Sequence, residues 1–504
     1  MAATEAAAPS AGGQRTLITL AVLLGSTMQA MDTFVVSVAL PTVQGAMSAS
    51  HDEISWVLTT YLIAIAVATP LVGFIARRFG RRRVFLAVIV GFVASSILVA
   101  QAHSLAEIVA FRGLQGTFGA GLVPLSQQVL FDTYPPERHG AAMGYFTMGM
   151  MFGLVCGPPL GGYITEFHSW RWVFLINVPI GMFAFAMIYA FVPESERDRG
   201  RRFDLFGYGM LALGLGALQF ILDRGNRADW FDSDQIRIAA ALAVMALYVF
   251  IVHIKTAPHP FVDPKLFQDR NYAIGLVFIF CLGFMIYGFV GLMPPLLQHH
   301  MDFPVLTTGM AMAPRGIGTF IASAVAGWLL ARIAPRPMLL AAIAFMAYST
   351  WRMTFFTPET DIDEIMLAVI LQGIGFGTFS VAVTTAAFAT LPAALRADGT
   401  GFFATARRLG SSVGVSVLVT HLINSTQTHH AELSQNVNPF NERFQGALPW
   451  GWSLDARAGL AAIEHAVHRH AEFLAYLDDF RMMTWLALAL VPLALAIRTR
   501  APGR

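Results

Sequence analysis

Runs of about twenty apolar residues, the length that crosses the hydrocarbon core of a bilayer as a helix, recur along the whole chain. They fall near residues 17–40, 55–76, 84–101, 105–130, 141–165, 172–192, 206–223, 236–254, 273–297, 307–331, 337–357, 363–390, 402–424 and 481–497. This pattern predicts an all-α integral membrane protein with about fourteen transmembrane helices. The polar stretches between the runs are not equivalent. With the N-terminus in the cytoplasm, Arg77, Arg78, Arg81, Arg82 and Arg83 lie inside, followed by Arg138, Arg197, Arg199, Arg201, Arg202, Lys255, Lys265, Arg270, Arg332, Arg336, Arg498, Arg500 and Arg504. The outward loops hold few basic residues, mainly Arg171, Arg224 and Arg227. Such asymmetry is the positive-inside distribution, and it predicts an even number of spans with both termini cytoplasmic.

An internal repeat orders the spans. Leu114-Gln115-Gly116 recurs 257 residues later as Leu371-Gln372-Gly373, and at the same offset Pro135 meets Pro392 and Gly144 meets Gly401. Two six-helix bundles, 17–192 and 273–497, with two inserted helices at 206–254 and short tails at 1–16 and 498–504, fit this spacing. Parallel repeats place a substrate site at their interface. One sizeable polar segment, 425–480, is expected as an outer loop, with a helical stretch from Leu454 to Leu477. It mixes His429, His430, Asn436, Asn438 and Gln445 with Phe440, Phe444, Trp450 and Trp452. Aromatic anchors within a polar rim suit a protein–protein contact; a cap over the outer mouth is the other reading.

Composition narrows the function. The chain is 56% hydrophobic and 13% charged, about half the charge of a soluble globular protein. Net charge is +2, and no basic patch carries interleaved aromatics, so no nucleic-acid partner is expected. Cys156 and Cys281 lie in apolar runs and imply neither a disulfide nor a metal framework. Gly214-Leu-Gly216 and Gly373-Ile-Gly375-Phe-Gly377 also lie in apolar runs, outside any βαβ context, so they are not nucleotide loops. With no P-loop and no nucleophile–base arrangement, the chain does not read as an enzyme and implies no organic cofactor. The His465-x-x-His468-x-His470 cluster lacks supporting cysteine or carboxylate spacing, so a solvated face is favoured and no metal site is predicted.

Ionisable residues inside spans are costly and tend to be functional. Four stand out: Asp32 in the first span, Arg112 in the fourth, Arg315 in the tenth and Arg352 in the eleventh. Desolvation favours the proton on a buried carboxylate and a nearby cation favours its charge, so a moving partner would switch Asp32. Asp32 is therefore the candidate proton carrier and Arg112 its candidate partner; a fixed inter-helix bond or structural ion pair is the alternative. Arg315 and Arg352 are candidate cavity charges. Arg407 and Arg408 sit at the mouth of span thirteen, where long basic side chains snorkel. In span five, Gly149, Gly153, Gly157 and Gly161 form a stripe without side chains, interrupted by Pro158 and Pro159 and followed by Gly162. Small-residue stripes let backbones touch and proline bends a helix, so this stretch reads either as a pivot between moving halves or as a close-packed helix.

These residues resemble the major facilitator superfamily, specifically its fourteen-span drug:proton antiporters of the EmrB type. Gly153 to Gly162 resembles the antiporter motif of the fifth helix, Asp32 to Pro41 the first-helix motif, and Arg112-x-x-Gln115-Gly116 the fourth-helix motif associated with proton coupling. Trp170 to Gly181, Leu222 to Gly225 with Asp229-Trp230-Phe231, and His429 to Asn441 are similarly typical. The resemblance implies a major facilitator fold, protons as coupling ion, and export of small hydrophobic compounds across a bacterial inner membrane. It also implies a periplasmic adaptor and an outer-membrane channel as partners. The loop Gly73-Phe-Ile-Ala-Arg77-Arg78-Phe-Gly80-Arg81 departs from the wider superfamily, which has an aspartate where Arg77 stands; the usual latch role of that aspartate is not expected here. Transport of a siderophore, lipid-like molecule or sugar, or a non-transporting scaffold or sensor, are the alternative functions.

Overall fold

A computed structural model describes residues 11–195, 200, 203–228, 230–438, 441 and 457–498. Arg197, Arg199, Arg201, Arg202, Asp229, Phe440, Phe444, Gln445, Trp450, Trp452, Leu454, Arg500 and Arg504, named above, lie outside the described residues. The apolar runs fold as long helices: α1 (Ala11–Met47), α2 (His51–Phe79), α3 (Arg81–Gln101), α4 in two pieces (Leu105–Gly119 and Leu122–Thr133), α5 (His139–Phe167) and α6 (Asn177–Phe191). Then come α7 (Leu205–Arg224), α8 (Asp234–Thr256), α9 (Arg270–Pro295), α10 (Val305–Leu329), α11 (Pro335–Met353), α12 (Ile362–Ala389), α13 (Ala393–Ser434) and α14 (Arg457–Ala489). Eleven of the described helices are long and apolar enough to cross a membrane by length and composition. The helices outside that set are α10, α11 and α13. α13 is the least apolar of the three because it carries Arg396, Asp398, Arg407 and Arg408.

Local sequence fixes the helix ends. Ser50 and Glu53 form a reciprocal capping box at the start of α2, and Ser104, Asp204 and Asp269 cap α4, α7 and α9 with their side chains. A single residue, Gly80, turns the chain from α2 into α3 at φ 94°, a left-handed conformation that favours glycine.

Helices α1–α6 pack on one another and α9–α14 on one another, with two main crossings joining the bundles, α5 on α10 and α2 on α13, flanked by lesser contacts of α5 with α12 and of the second piece of α4 with α13. The crossings are images of each other under the 257-residue repeat. A Cβ on Gly140 would lie 2.7 Å from the Leu330 Cβ, and one on Gly73 would lie 2.6 Å from the Ala397 carbonyl. Leu330 is the repeat mate of Gly73, and Ala397 that of Gly140. The Gly140–Leu330 and Gly73–Ala397 contacts both lie toward the end of the molecule that carries Arg77 to Arg83. The inserted helix α7 straddles α2 and α13. Its Asp223 and Arg224 bond Thr59 and Ser55 of α2, while Gln219 bonds Ser412 of α13.

Two expectations need correction. In the segment 425–480 the expected helical stretch is present from Arg457 on, but the described residues before it are helix too, because α13 runs on to Ser434. Histidines of α13 tie α13 to α14 (Arg457–Ala489): His421 to Asp479 (2.6 Å), His429 to Asp478 (2.7 Å) and His430 to Glu464 (2.9 Å). Cross-helix hydrogen bonds thus join both helices past the apolar runs. Arg352 is not a cavity charge. It lies at the end of α11, about a third exposed, and pairs with Glu364 of α12.

Candidate functional site

Asp32 has no exposed surface, and four neighbouring helices supply its surroundings. Its carboxylate accepts from Arg112 Nη1 (2.9 Å), Gln115 Nε2 (3.0 Å) and Asn177 Nδ2 (2.8 Å). The same Arg112 nitrogen donates to Gln115 Oε1 at 2.5 Å, and Arg112 Nε donates to the Val57 carbonyl at 3.4 Å. Gln115 and Asn177 also donate to Ser96 Oγ, at 2.7 and 3.3 Å. The Arg112 guanidinium lies 3.9 Å from the centre of the Tyr61 ring and 5.7 Å from that of Phe174. Every side chain in this cluster is buried. The α4 spacing explains part of the arrangement, since Arg112 and Gln115 are three residues apart and share a face.

Such a cluster is a closed, charge-balanced group around one carboxylate. The sequence alone singles out Asp32 and Arg112 as partners. It marks Gln115 and Asn177 only as motif letters, and gives no sign of Ser96 or Tyr61. A serine or tyrosine inside an apolar run carries no mark of whether it faces lipid or a buried charge.

Beside this cluster, a cavity of about 50 Å³ lies between the two bundles. Gln29 and Thr33 of α1, Met150 and Met151 of α5, and Arg407 and Arg408 of α13 line it. Gln29 is 2% exposed, and neither atom of its amide has a hydrogen-bond partner. Arg407 and Arg408 therefore face the interior between the bundles and do not snorkel at a helix mouth. The cavity is far below the several hundred Å³ of a drug-sized site, so the bundles must part to admit one. Arg315 of α10 is buried elsewhere in the second bundle, 4.6 Å from the Phe289 ring centre. Its carbonyl presses on Gly373 so closely that no Cβ would fit there.

The glycine stripe of α5 packs against α1, within one bundle. Cβ atoms at Gly149, Gly153, Gly157 and Gly161 would lie 2.7–2.9 Å from Leu23, Thr27, Phe34 and Val35. Thr27 adds a hydrogen bond to the Gly149 carbonyl (2.9 Å). Pro158 and Pro159 lie inside the continuous helix. A Cβ on Gly162, by contrast, would meet nothing within 4 Å. The face of α5 that meets the other bundle is a different one, at Gly140, Gly144 and Val155. A matched pair of substitutions separates contact from composition. Gly157→Leu is expected to lose about 1–3 kcal/mol to overpacking and most of its transport, whereas Gly162→Leu stays near the parent in thermal unfolding and efflux.

At the arginine-rich end, Arg77 donates to Asp398 Oδ1 (2.6 Å) and to the Ala394 carbonyl (3.0 Å), bridging α2 to α13. The sequence gives no reason to expect a latch at Arg77; the structure has an ion pair there between the bundles, with the signs exchanged. The repeat-related positions, Ala141 and Ala334, carry no charge, so only one of the two crossings holds this pair. Arg81 pairs with Asp132 of α4, and its backbone N–H donates to Ser195 (2.9 Å).

Two helix bundles related by a repeat, meeting over a cavity, with a buried charge cluster inside the first of them, make up the architecture of a membrane transporter. Residues 22–415 match the Major Facilitator Superfamily, and the chain belongs to that superfamily. It is 35% identical over 438 residues to the "Multidrug export protein EmrB" of Haemophilus influenzae, covering 86% of this chain and 85% of that protein. The protein of the same name from Escherichia coli is 35% identical over 442 residues, covering 87% and 86%. Among solved structures, the proton:xylose symporter XylE superposes with a TM-score of 0.60 at 15% identity, covering 96% of this chain and 97% of that one; this likeness concerns the fold alone.

Proposed function

We propose that the protein is a proton-coupled antiporter that exports small hydrophobic toxic compounds across a bacterial inner membrane. The observation that carries this reading is the buried Asp32–Arg112–Gln115–Asn177 cluster, which shares α1 with the cavity between the bundles. The relatives named as multidrug export proteins support the substrate class. The arginine-rich end is the cytoplasmic one in this reading, as is each terminus, because basic residues are retained on that side. Proton binding at Asp32 and substrate binding in the cavity alternate as the bundles rock.

In proteoliposomes, dye efflux should follow an imposed pH gradient and fall to the passive leak when the gradient is dissipated. Efflux that is indifferent to the gradient would point to a facilitator instead.

The partners are a periplasmic adaptor and, through it, an outer-membrane channel. The α13–α14 extension beyond the apolar runs gives the adaptor a place to dock. Removing residues 436–452 should leave vesicle transport unchanged while abolishing adaptor co-purification and cellular resistance. Blocked vesicle transport with adaptor binding intact would make the segment a gate.

A further inference from the structure

A groove of about 750 Å³ runs between α2 and α3, floored by α4, on a side of α2 that neither the bundle crossing nor the proton cluster uses. From Ala68 to Phe79 it follows α2 for about 16 Å, half of a hydrocarbon core about 30 Å thick, so it is one leaflet deep. Its walls are apolar, among them Leu71, Ile75, Val84 and Phe118, and Phe79, Ala87 and Thr117 are exposed along it. Among the described residues, charge enters only at the arginine-rich end, through Arg78 and Arg83.

The other three arginines of that turn do not line the groove. Arg77 holds Asp398, Arg81 holds Asp132, and Arg82 holds the Tyr189 carbonyl and stacks on its ring at 4.8 Å. Arg83 is 64% exposed, with Glu194 at 3.5 Å, and Arg78 lies 5.9 Å from the Phe79 ring centre. Two cations thus border the end of an apolar slot of single-leaflet depth. That is the outline of an anionic phospholipid: a phosphate at the mouth and an acyl chain along the slot. Basic pockets between membrane helices take such headgroups.

We propose that this groove binds an anionic glycerophospholipid of the adjacent leaflet, its phosphate between Arg78 and Arg83. The leaflet is the cytoplasmic one on the orientation proposed above, and only that assignment rests on the earlier reading. The lipid would brace the outer side of α2, whose inner side meets α13 at Gly73 and Arg77.

The test uses the full chain purified in detergent, with lipid retention read by native mass spectrometry after exposure to phosphatidylglycerol or to phosphatidylcholine of the same chains. The parent should retain phosphatidylglycerol at least fivefold over phosphatidylcholine. Arg78→Gln with Arg83→Gln should lower that retention by roughly fivefold per arginine. Ala87→Trp, which fills the slot and leaves both arginines, should lower it as well, and it decides the matter if the double variant does not fold. Inorganic phosphate in excess should displace little of the lipid if the slot holds the chain, and full displacement would reduce the site to its two charges. Equal retention of both lipids, or undiminished retention by folded Ala87→Trp, would overturn the proposal. Retention is read without transport or orientation, so it stands or fails apart from the pump reading.

Discussion

The Asp32→Asn variant is expected to lose proton-driven efflux by at least a hundredfold while still inserting in the membrane. Asparagine keeps the shape of the side chain and part of its hydrogen bonding, yet it neither ionises nor balances a cation. Arg112 would then stand fully buried without its carboxylate, and breaking a buried pair by removing one partner typically costs about 3–5 kcal/mol. The Tyr61 ring 3.9 Å away offsets part of that cost. A lower thermal midpoint should therefore accompany the loss of coupling, and the two effects can be separated. Gln115→Leu removes a donor to Asp32 without touching its charge, so it should lower stability while shifting the pH profile of efflux and leaving coupling in place. If Asp32→Asn drives uphill export at the parental rate, Asp32 is structural and the proton is carried elsewhere.

The second large effect concerns the ion pair between the bundles. Arg77→Asp should set two carboxylates against each other across α2 and α13, open the arginine-rich end, and lower efflux by tenfold or more. The exchange variant, Arg77→Asp with Asp398→Arg, should recover much of the activity. Spin labels on Phe79→Cys and Ala393→Cys, both exposed sites, in a background lacking Cys156 and Cys281, report the separation directly. A swap no better than the single variant would mean that the pair does not hold the bundles closed.

Asp398→Asn should behave differently from Arg77→Asp. Burial pushes the Asp398 carboxyl above its ordinary value, against the pull of Arg77. The folded chain therefore keeps that proton at pH values where an unfolded chain has released it. The stability tied to this proton is present at low pH and lost as pH rises through the raised value. Asp398→Asn removes the titrating group, so it should flatten this pH dependence of the thermal midpoint and loosen the closure.

Much of this protein is legible from the chain alone. A bilayer demands helices with internally satisfied backbones, so the apolar runs mark the long helices directly. Charge in lipid is expensive enough that Asp32 and Arg112 announce themselves, and the repeat from Leu114 to Leu371 announces the two bundles. Contacts between distant helices are another matter, because periodicity says that a face is small or polar but not what it meets. The glycines of α5 could have touched either bundle, and only packing assigns them to α1. The same limit hides Ser96 and Tyr61, sends Arg407 and Arg408 to the interior and Arg352 to the edge, and pairs the end of α13 with α14. It also hides the partner of Arg77, since an aspartate 321 residues away becomes a neighbour only when α13 crosses α2.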